Sequence, residues 1–306
     1  MRKYRMRIFI TGGGGFVGSA VFRDAASGDK FWKKHTVTFL TRDASKLRKE
    51  RNASKNVEIV QGSWENADLL EKCIKNTNAI VHIAGSTPPA DKKQMIRTNV
   101  EYTKRIIELA QKWKVKKVIF LSSERVLAKN KTPYSMTKQT AEKIVSGFKN
   151  HLILRPALIY GEGDNKNLSK LARIIRRTRI VPVFGDGKAI MQPIYVHDVV
   201  KYVRVGLQKD IKGTFIVVGK ERTDMNKIID MIARLQGKRV YKIHLPLTLA
   251  INLVRVYERF SKKPIITVNQ IKNMNESCLR SMEETNSVFG FKPCGIQERI
   301  RKVVFV

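Results

Sequence analysis

The feature that most constrains this chain is the passage Met6-Arg7-Ile8-Phe9-Ile10 followed at once by Thr-Gly-Gly-Gly-Gly-Phe-Val-Gly, residues 11–18. Glycine loses more backbone freedom on folding than any other residue. Four in a row at the end of an apolar strand therefore imply a backbone that must turn tightly or be approached closely. In the spacing T-G-x-x-G-x-x-G, Gly12 allows the turn, Gly15 lets a pyrophosphate come up to the backbone, and Gly18 lets a helix sit close on the strand. The helix opening at Phe16 and Val17 then offers free N–H groups and a partial positive charge to phosphates. A glycine loop that ends a strand and opens a helix is the signature of dinucleotide binding.

The first half of the chain repeats that alternation. Strand-like runs fall at Arg7–Ile10, Thr36–Leu40, Val57–Val60, Ala79–Ile83, Lys117–Leu121 and His151–Leu154, with helical patterns at Phe16–Ala26, Ala67–Lys75, Met95–Lys112 and Tyr134–Phe148. Strands alternating with helices predict βαβ units and a parallel sheet covered on both faces. The expected fold is α/β: a Rossmann-type doubly wound parallel sheet with a smaller C-terminal α/β substrate domain. The first domain spans 1–160 with a return strand near 190–218. Residues 161–306 are mostly substrate-binding and interleave with it.

The end of the second strand selects the cofactor. An acid there would hold the ribose 2′-OH of NAD, whereas an arginine would accommodate the 2′-phosphate of NADP. Arg42 stands at the tip, with Asp43 next and Lys46 close behind, which leans towards NADP(H) over NAD. Further on, Tyr134 and Lys138 lie four apart and share a helix face. An ammonium beside a phenol is expected to lower the tyrosine's pKa and suit it to proton transfer. Ser122 and Ser123 end the fifth strand, at the sheet edge where ligands of such folds bind.

Composition narrows the partners. Sixty Lys and Arg against 26 Asp and Glu leave a net charge of +34, a field that attracts anions. The bases are spread along the chain, and no helix-turn-helix, zinc-finger or RNP signature accompanies them, so nucleic acid is not the expected partner. The three cysteines, Cys73, Cys278 and Cys294, match neither a disulfide framework nor a metal pair. No metal is expected, and a cytoplasmic setting fits. The first 22 residues superficially copy a signal peptide, but the glycines argue against one. Leu245 to Phe260 is apolar, interrupted by Arg255 and too short to span a bilayer. It reads as an amphipathic helix, with contact to a membrane surface an open alternative.

With these residues in hand, the chain resembles an extended short-chain dehydrogenase/reductase of the NAD(P)-dependent epimerase/dehydratase family that acts on nucleotide sugars. The matching motifs run almost end to end: TGGGGFVG, AIVHIAGS, TNVEYTKRIIELA, LSS, YSMTK, LRPALIYGEGD, FGDGKAIMQPIYVHDVV and GFKP. The resemblance implies that Ser123, Tyr134 and Lys138 form the hydride-transfer triad, with Asn99 supporting an active-site water or the helix geometry. It implies a cofactor cleft of Gly12, Gly15, Phe16, Val17, Gly18, Arg42, Ser63, His82, Ala84, Gly85, Tyr134, Lys138 and Pro156. Substrate contacts would come from Asn165, Asn167, Arg173 and Gln192, and Asp198 would be a structural acid. Relatives often form a homodimer through a four-helix bundle that includes the tyrosine helix.

Several positions depart from the family pattern. Ser63 replaces an acid that touches adenine; Val126-Leu127-Ala128 replaces VYG; ten residues separate Ser123 from Tyr134, a short loop; Met191 and Gln192 stand where a base often grips the diphosphate; and Glu124-Arg125 lacks the second acid of a dehydratase. A dehydratase is therefore disfavoured. The expected function is an NAD(P)-dependent oxidoreductase or epimerase acting on a nucleotide-linked sugar. The alternatives are an NADPH-dependent reductase of a ketone or lipid carbonyl, and a non-catalytic NADP(H)-binding subunit resembling the accessory subunit of respiratory complex I.

Overall fold

A computed structural model describes residues 5–49, 54–88, 90–261, 264 and 266–304. Seven strands form the central sheet: β1 (Arg7–Thr11), β2 (Thr36–Thr41), β3 (Val57–Gln61), β4 (Ala79–His82), β5 (Lys117–Leu121), β6 (His151–Pro156) and β7 (Gly213–Val217). Their spatial order is β7-β6-β5-β4-β1-β2-β3, and every neighbouring pair is parallel. This is the predicted doubly wound arrangement.

The sheet is buried on both sides, which is why its strands read as nearly unbroken apolar runs. Alternate residues of each strand serve opposite cores. Ile8, Ile10, Phe39, Val81, Ile119 and Leu154 pack with α1 (Phe16–Ala26). Phe9, Leu40, Ile80, Phe120 and Ile153 face the other way, towards α2 (Tyr102–Lys112) and α3 (Pro133–Ser146). Strand order reverses between β1 and β4, so their C-terminal ends open the crevice where such sheets bind ligands.

The strands and helices match the expected ones to within one or two residues, with two exceptions. The helical pattern Met95–Lys112 is broken by a π-turn over Arg97–Glu101 before α2 begins, a distortion common at functional sites. A short 3₁₀ turn, Glu124–Leu127, follows β5; four residues are too few to show a period.

The C-terminal half adds to the core around α1 and forms a small core of its own. Helices α4 (Leu168–Arg177), α5 (Val196–Gln208) and α6 (Met225–Leu235) share the larger core with α1, and β7 completes the main sheet. A parallel two-stranded ribbon, Ile180–Phe184 with Tyr241–Leu245, leads into α7 (Leu247–Phe260), which packs on α8 (Val268–Met274). Among the described residues, no helix is long and apolar enough to cross a membrane, and no cluster of His, Cys, Asp and Glu could hold a metal ion.

Candidate active site

Each glycine of the opening run has its own steric reason. Gly12 sits at φ +76°, and a Cβ there would lie 2.7 Å from the backbone nitrogen of Ala84. A Cβ on Gly18 would lie 2.0 Å from the Gly12 carbonyl oxygen, so α1 can press against the loop only with glycine at that position. Gly13 and Gly14 fall outside the T-G-x-x-G-x-x-G spacing and are confined less tightly, by side chains rather than backbone. Their Cβ atoms would meet the Phe39 ring at 3.2 Å and Thr41 Oγ1 at 2.6 Å. Gly15 differs: it is exposed, and its Cβ would meet only the Gly12 oxygen, at 3.3 Å. It caps α1 without a side chain, leaving the first-turn N–H groups free for an anion. The loop therefore fits the pyrophosphate of a dinucleotide. Phe16 is half-buried beside it and Val17 points into the core.

Beneath the loop runs a buried chain of hydrogen bonds. The Ala84 N–H donates to Thr11 Oγ1 (3.2 Å), and Thr11 Oγ1 lies 2.7 Å from His82 Nδ1. His82 Nε2 lies 3.0 Å from Thr103 Oγ1, which donates to the Asn99 carbonyl (2.7 Å). Thr103 thus uses its proton on Asn99, so Nε2 carries the ring hydrogen and Nδ1 accepts. His82 is fully buried, and burial lowers its pKa to about 3, aided by the charge of Lys138. It is a neutral strut that carries the cleft wall, whereas Ala84 and the exposed Gly85 form that wall's surface.

Asn99, set by the π-turn, ties the wall to the tyrosine helix. Its Oδ1 accepts from the Ser86 N–H (2.7 Å), and its Nδ2 donates to the Ser86 carbonyl and to Thr137 Oγ1, each at 3.0 Å. Helix α3 is positioned at its start by a capping box. Thr132 Oγ1 accepts from the Ser135 N–H (3.1 Å), Ser135 Oγ accepts from the Thr132 N–H (2.9 Å), and Pro133 stands in the first turn. Such a cap contributes about 1 kcal/mol, and here it fixes where Tyr134 begins its helix.

Lys138 is buried under this helix. Its Nζ donates to the Leu121 carbonyl (2.6 Å) and lies 4.1 Å over the Phe120 ring. Burial lowers its pKa to about 7, opposed by the Glu142 carboxylate, which is itself held by Arg155 through bonds of 2.9 and 2.6 Å. Tyr134 is half-buried beside Ser123. Its phenol is raised above the ordinary value, chiefly by burial; Ser123 and the Arg125 guanidinium pull in the other direction. The expected depression by Lys138 is therefore not found. The i, i+4 spacing puts both residues on one face, but the ammonium is directed at Leu121 and Phe120.

The positive charge that opposes the rise at Tyr134 is instead that of Arg125, which sequence reasoning passed over. Ser123 caps the 3₁₀ turn by accepting from the Arg125 N–H (3.2 Å), and the Arg125 Nη1 donates to the Asn273 carbonyl (3.1 Å). Glu124 is buried beside it. Burial raises its carboxyl pKa, with Arg125 and Arg280 opposing. Three buried polar atoms in this region, Ser122 Oγ, Asn273 Oδ1 and Arg280 Nε, have no hydrogen-bond partner among the described residues. Such orphans mark places completed by a ligand or water.

The remaining candidates fall into separate groups. Arg42 and Lys46 are exposed at the tip of β2, while Asp43 is engaged by the N–H (2.9 Å) and hydroxyl (2.6 Å) of Ser45. Ser63, at the end of β3, bonds to Glu65 (3.3 Å), and Pro156 closes β6. The loop carrying Asn165 and Asn167 passes near the cleft wall, where Lys166 Nζ reaches Thr87 Oγ1 at 3.4 Å. Arg173 is bound to the Ser169 and Asn165 carbonyls at 3.4 and 2.8 Å, so its guanidinium braces that loop. Gln192 is buried and accepts from the Arg280 N–H (2.9 Å), which makes it a holder of Arg280.

A glycine cradle at the sheet's switch point, with a tyrosine, lysine and serine at the end of β5, defines a dinucleotide-binding α/β protein. Over residues 8–219 the chain matches the NAD dependent epimerase/dehydratase family, and it belongs to that family. It is similar to the uncharacterized UDP-glucose epimerase YtcB of Bacillus subtilis, with 23% identity covering 76% of this chain and 83% of that protein. It is also similar to a UDP-N-acetyl-alpha-D-glucosaminuronate decarboxylase of Bacillus cytotoxicus, with 24% identity covering 79% and 84%. Its fold superposes on the UDP-glucuronic acid 4-epimerase of Bacillus cereus, solved with UDP-glucuronic acid and NAD, at a TM-score of 0.79 with 17% identity and 98% of each chain covered. The family is NAD-dependent.

Proposed function

We propose that this chain epimerises a nucleotide-linked sugar by reversible oxidation at one hydroxyl-bearing carbon. The observation that carries the reading is the convergence of Ser123, just past β5, with Tyr134 and Lys138 of α3, a helix that Asn99 ties to the wall beside the glycine cradle. Gly12, Gly15 and Gly18, the N–H groups at Phe16 and Val17, Ala84, Gly85, Pro156 and Lys138 would hold the dinucleotide. Its nicotinamide, when bound, supplies a hydride acceptor that can return the hydride to either face of a ketone.

The protein's part is the proton. Tyr134 takes the proton of the sugar hydroxyl as the carbon loses hydride, and gives it back when the ketone is reduced. Ser123 hydrogen-bonds the same oxygen and moderates its change of charge. Arg125 favours the phenolate, offsetting part of the burial penalty on Tyr134. Arg125 and Arg280, with the orphaned Nε of the latter, suit an anionic group of the substrate.

Arg42 and Lys46 support a second reading, an NADPH-consuming carbonyl reductase, because Asp43 is occupied by Ser45 and two bases stand open where a 2′-phosphate would lie. The test is direct. The protein is purified and denatured, the released dinucleotide is identified by mass, and UDP-glucose and UDP-glucuronic acid are offered while absorbance at the reduced-nicotinamide band is followed. Epimer formation with no net change in reduced cofactor, abolished in Tyr134→Phe, supports epimerisation. Stoichiometric NADPH consumption with a carbonyl substrate overturns it in favour of the reductase. Full turnover in Tyr134→Phe overturns both.

A further inference from the structure

The ribbon and α7 expose an apolar face that the catalytic reading does not use. On α7, Ala250 and Val254 are buried with Ile271 of α8. An adjoining side carries Leu249, Leu253, Val256 and Phe260, spaced 4, 3 and 4 apart and so on one helical stripe. They are 48%, 58%, 59% and 82% exposed. The ribbon carries exposed apolar residues of its own. Its register pairs Tyr241 with Ile180, Ile243 with Pro182 and Leu245 with Phe184, so these six share one side of the strands. Phe184 and Leu245 pack into the small core under α7, while Ile180, Pro182, Tyr241 and Ile243 remain open. An exposed apolar face of this kind marks an interaction site.

Charge identifies the occupant. Within the two ribbon strands and α7, the only acid is Glu258, against Arg255 and Arg259, while Lys242 is paired with Asp230 of α6 at 2.8 Å. Exposed Arg177, Arg179, Lys238 and Arg239 gather where the ribbon strands begin. On the helical wheel, Arg259 and Arg255 both lie to one side of the stripe, about 90° and 130° from its centre, with the buried Ala250 and Val254 to its other side. Leucine, valine and phenylalanine on one arc with arginines alongside is the pattern of a helix lying in the plane of a membrane interface. The helix has 14 residues, about 21 Å, enough to lie on a bilayer and too short to span one. A second copy of the chain is disfavoured, because each carries +34 and like charges would be brought together.

We propose that this face docks on an anionic lipid surface, with Leu249, Leu253, Val256 and Phe260 among the acyl chains and the arginines at the headgroups. Each basic residue near such a surface strengthens partitioning about fivefold, so Arg255→Gln with Arg259→Gln should weaken it by about twenty- to thirtyfold.

The test is flotation of the full chain with phosphatidylcholine vesicles and with mixed phosphatidylcholine–phosphatidylglycerol vesicles. Binding is expected to the mixed vesicles only, declining with salt. Leu253→Glu with Phe260→Glu should reduce it by about a hundredfold or more, with NAD binding and thermal unfolding unchanged, since both side chains are exposed. Phe260→Trp should report insertion by a blue shift of its emission. Equal binding by the Leu253/Phe260 variant would overturn the proposal and assign attraction to the diffuse charge. Absence of binding to mixed vesicles would also overturn it. In that case a dimer dispersed by the same variant would assign the face to a second copy, and capture of an acidic protein would assign it to that partner.

Discussion

Gly18 and Gly15 allow folding and binding to be separated within one loop. In Gly18→Ala, the new methyl would lie 2.0 Å from the Gly12 oxygen, 2.8 Å from its carbonyl carbon and 2.9 Å from Gly13 Cα. All three are backbone atoms, so no side chain can swing aside. Relief requires α1 and the loop to part by about 1 Å, against ordinary carbon–oxygen contact beyond 3 Å. Overpacking of this kind costs about 1–3 kcal/mol or more, several degrees in Tm, and it displaces the phosphate cradle. In Gly15→Ala the methyl meets only the Gly12 oxygen, at 3.3 Å, and φ is −81°. Folding should be nearly untouched, while the methyl stands where the pyrophosphate must approach. Calorimetric titration with NAD beside thermal unfolding of the dinucleotide-free protein reads both quantities. Gly18→Ala should lose stability and affinity together; Gly15→Ala should lose affinity by about tenfold or more with Tm within a degree or two of the parent. Parental affinity in Gly15→Ala would refute the placement of the pyrophosphate at this loop.

The remaining expectations concern titration and the substrate side. Lys138 has a folded pKa of about 7 against an ordinary 10.5, so between those values the unfolded chain binds the extra proton. Stability of the dinucleotide-free protein should rise with pH over that window, by several kcal/mol at most, and Lys138→Met should flatten the rise in denaturant titrations at stepped pH. His82, at about 3 against 6.5, works in the same sense at lower pH: stability should fall as pH drops below 6.5, and His82→Gln should remove part of that slope. Tyr134→Phe should lower kcat by about 10²–10⁴ with NAD affinity retained, measured by product formation and titration. Arg125→Gln removes an influence that lowers the Tyr134 pKa, so the pH profile of kcat should move to higher pH; an unmoved profile would exclude Arg125 from the proton step.

How far the sequence discloses this site depends on whether the informative neighbour is near in the chain or only in space. The parallel sheet, the glycine turn and the tyrosine helix are local patterns, and they appear where periodicity and spacing put them. The seats of Gly13 and Gly14 depend on Phe39 and Thr41 of β2, which no loop motif reveals. His82 lies in the AIVHIAGS motif, yet only the bonds to Thr11 and Thr103 from two other elements show it to be a neutral strut. Lys138 illustrates the limit of spacing: four residues set the face of a helix, but the direction of a long side chain follows its partners, here a strand carbonyl and an aromatic ring. Arg125 was seen in the sequence only as a missing acid. Its place arises from folding, because Ser123 caps its N–H and Asn273 anchors its guanidinium from more than a hundred residues away. Arg125, rather than Lys138, is the cation that opposes the rise of the Tyr134 pKa. The tuning of the phenol is therefore distributed across the cleft between the two halves of the chain, and it should respond to whatever anionic group of the substrate comes to lie on Arg125.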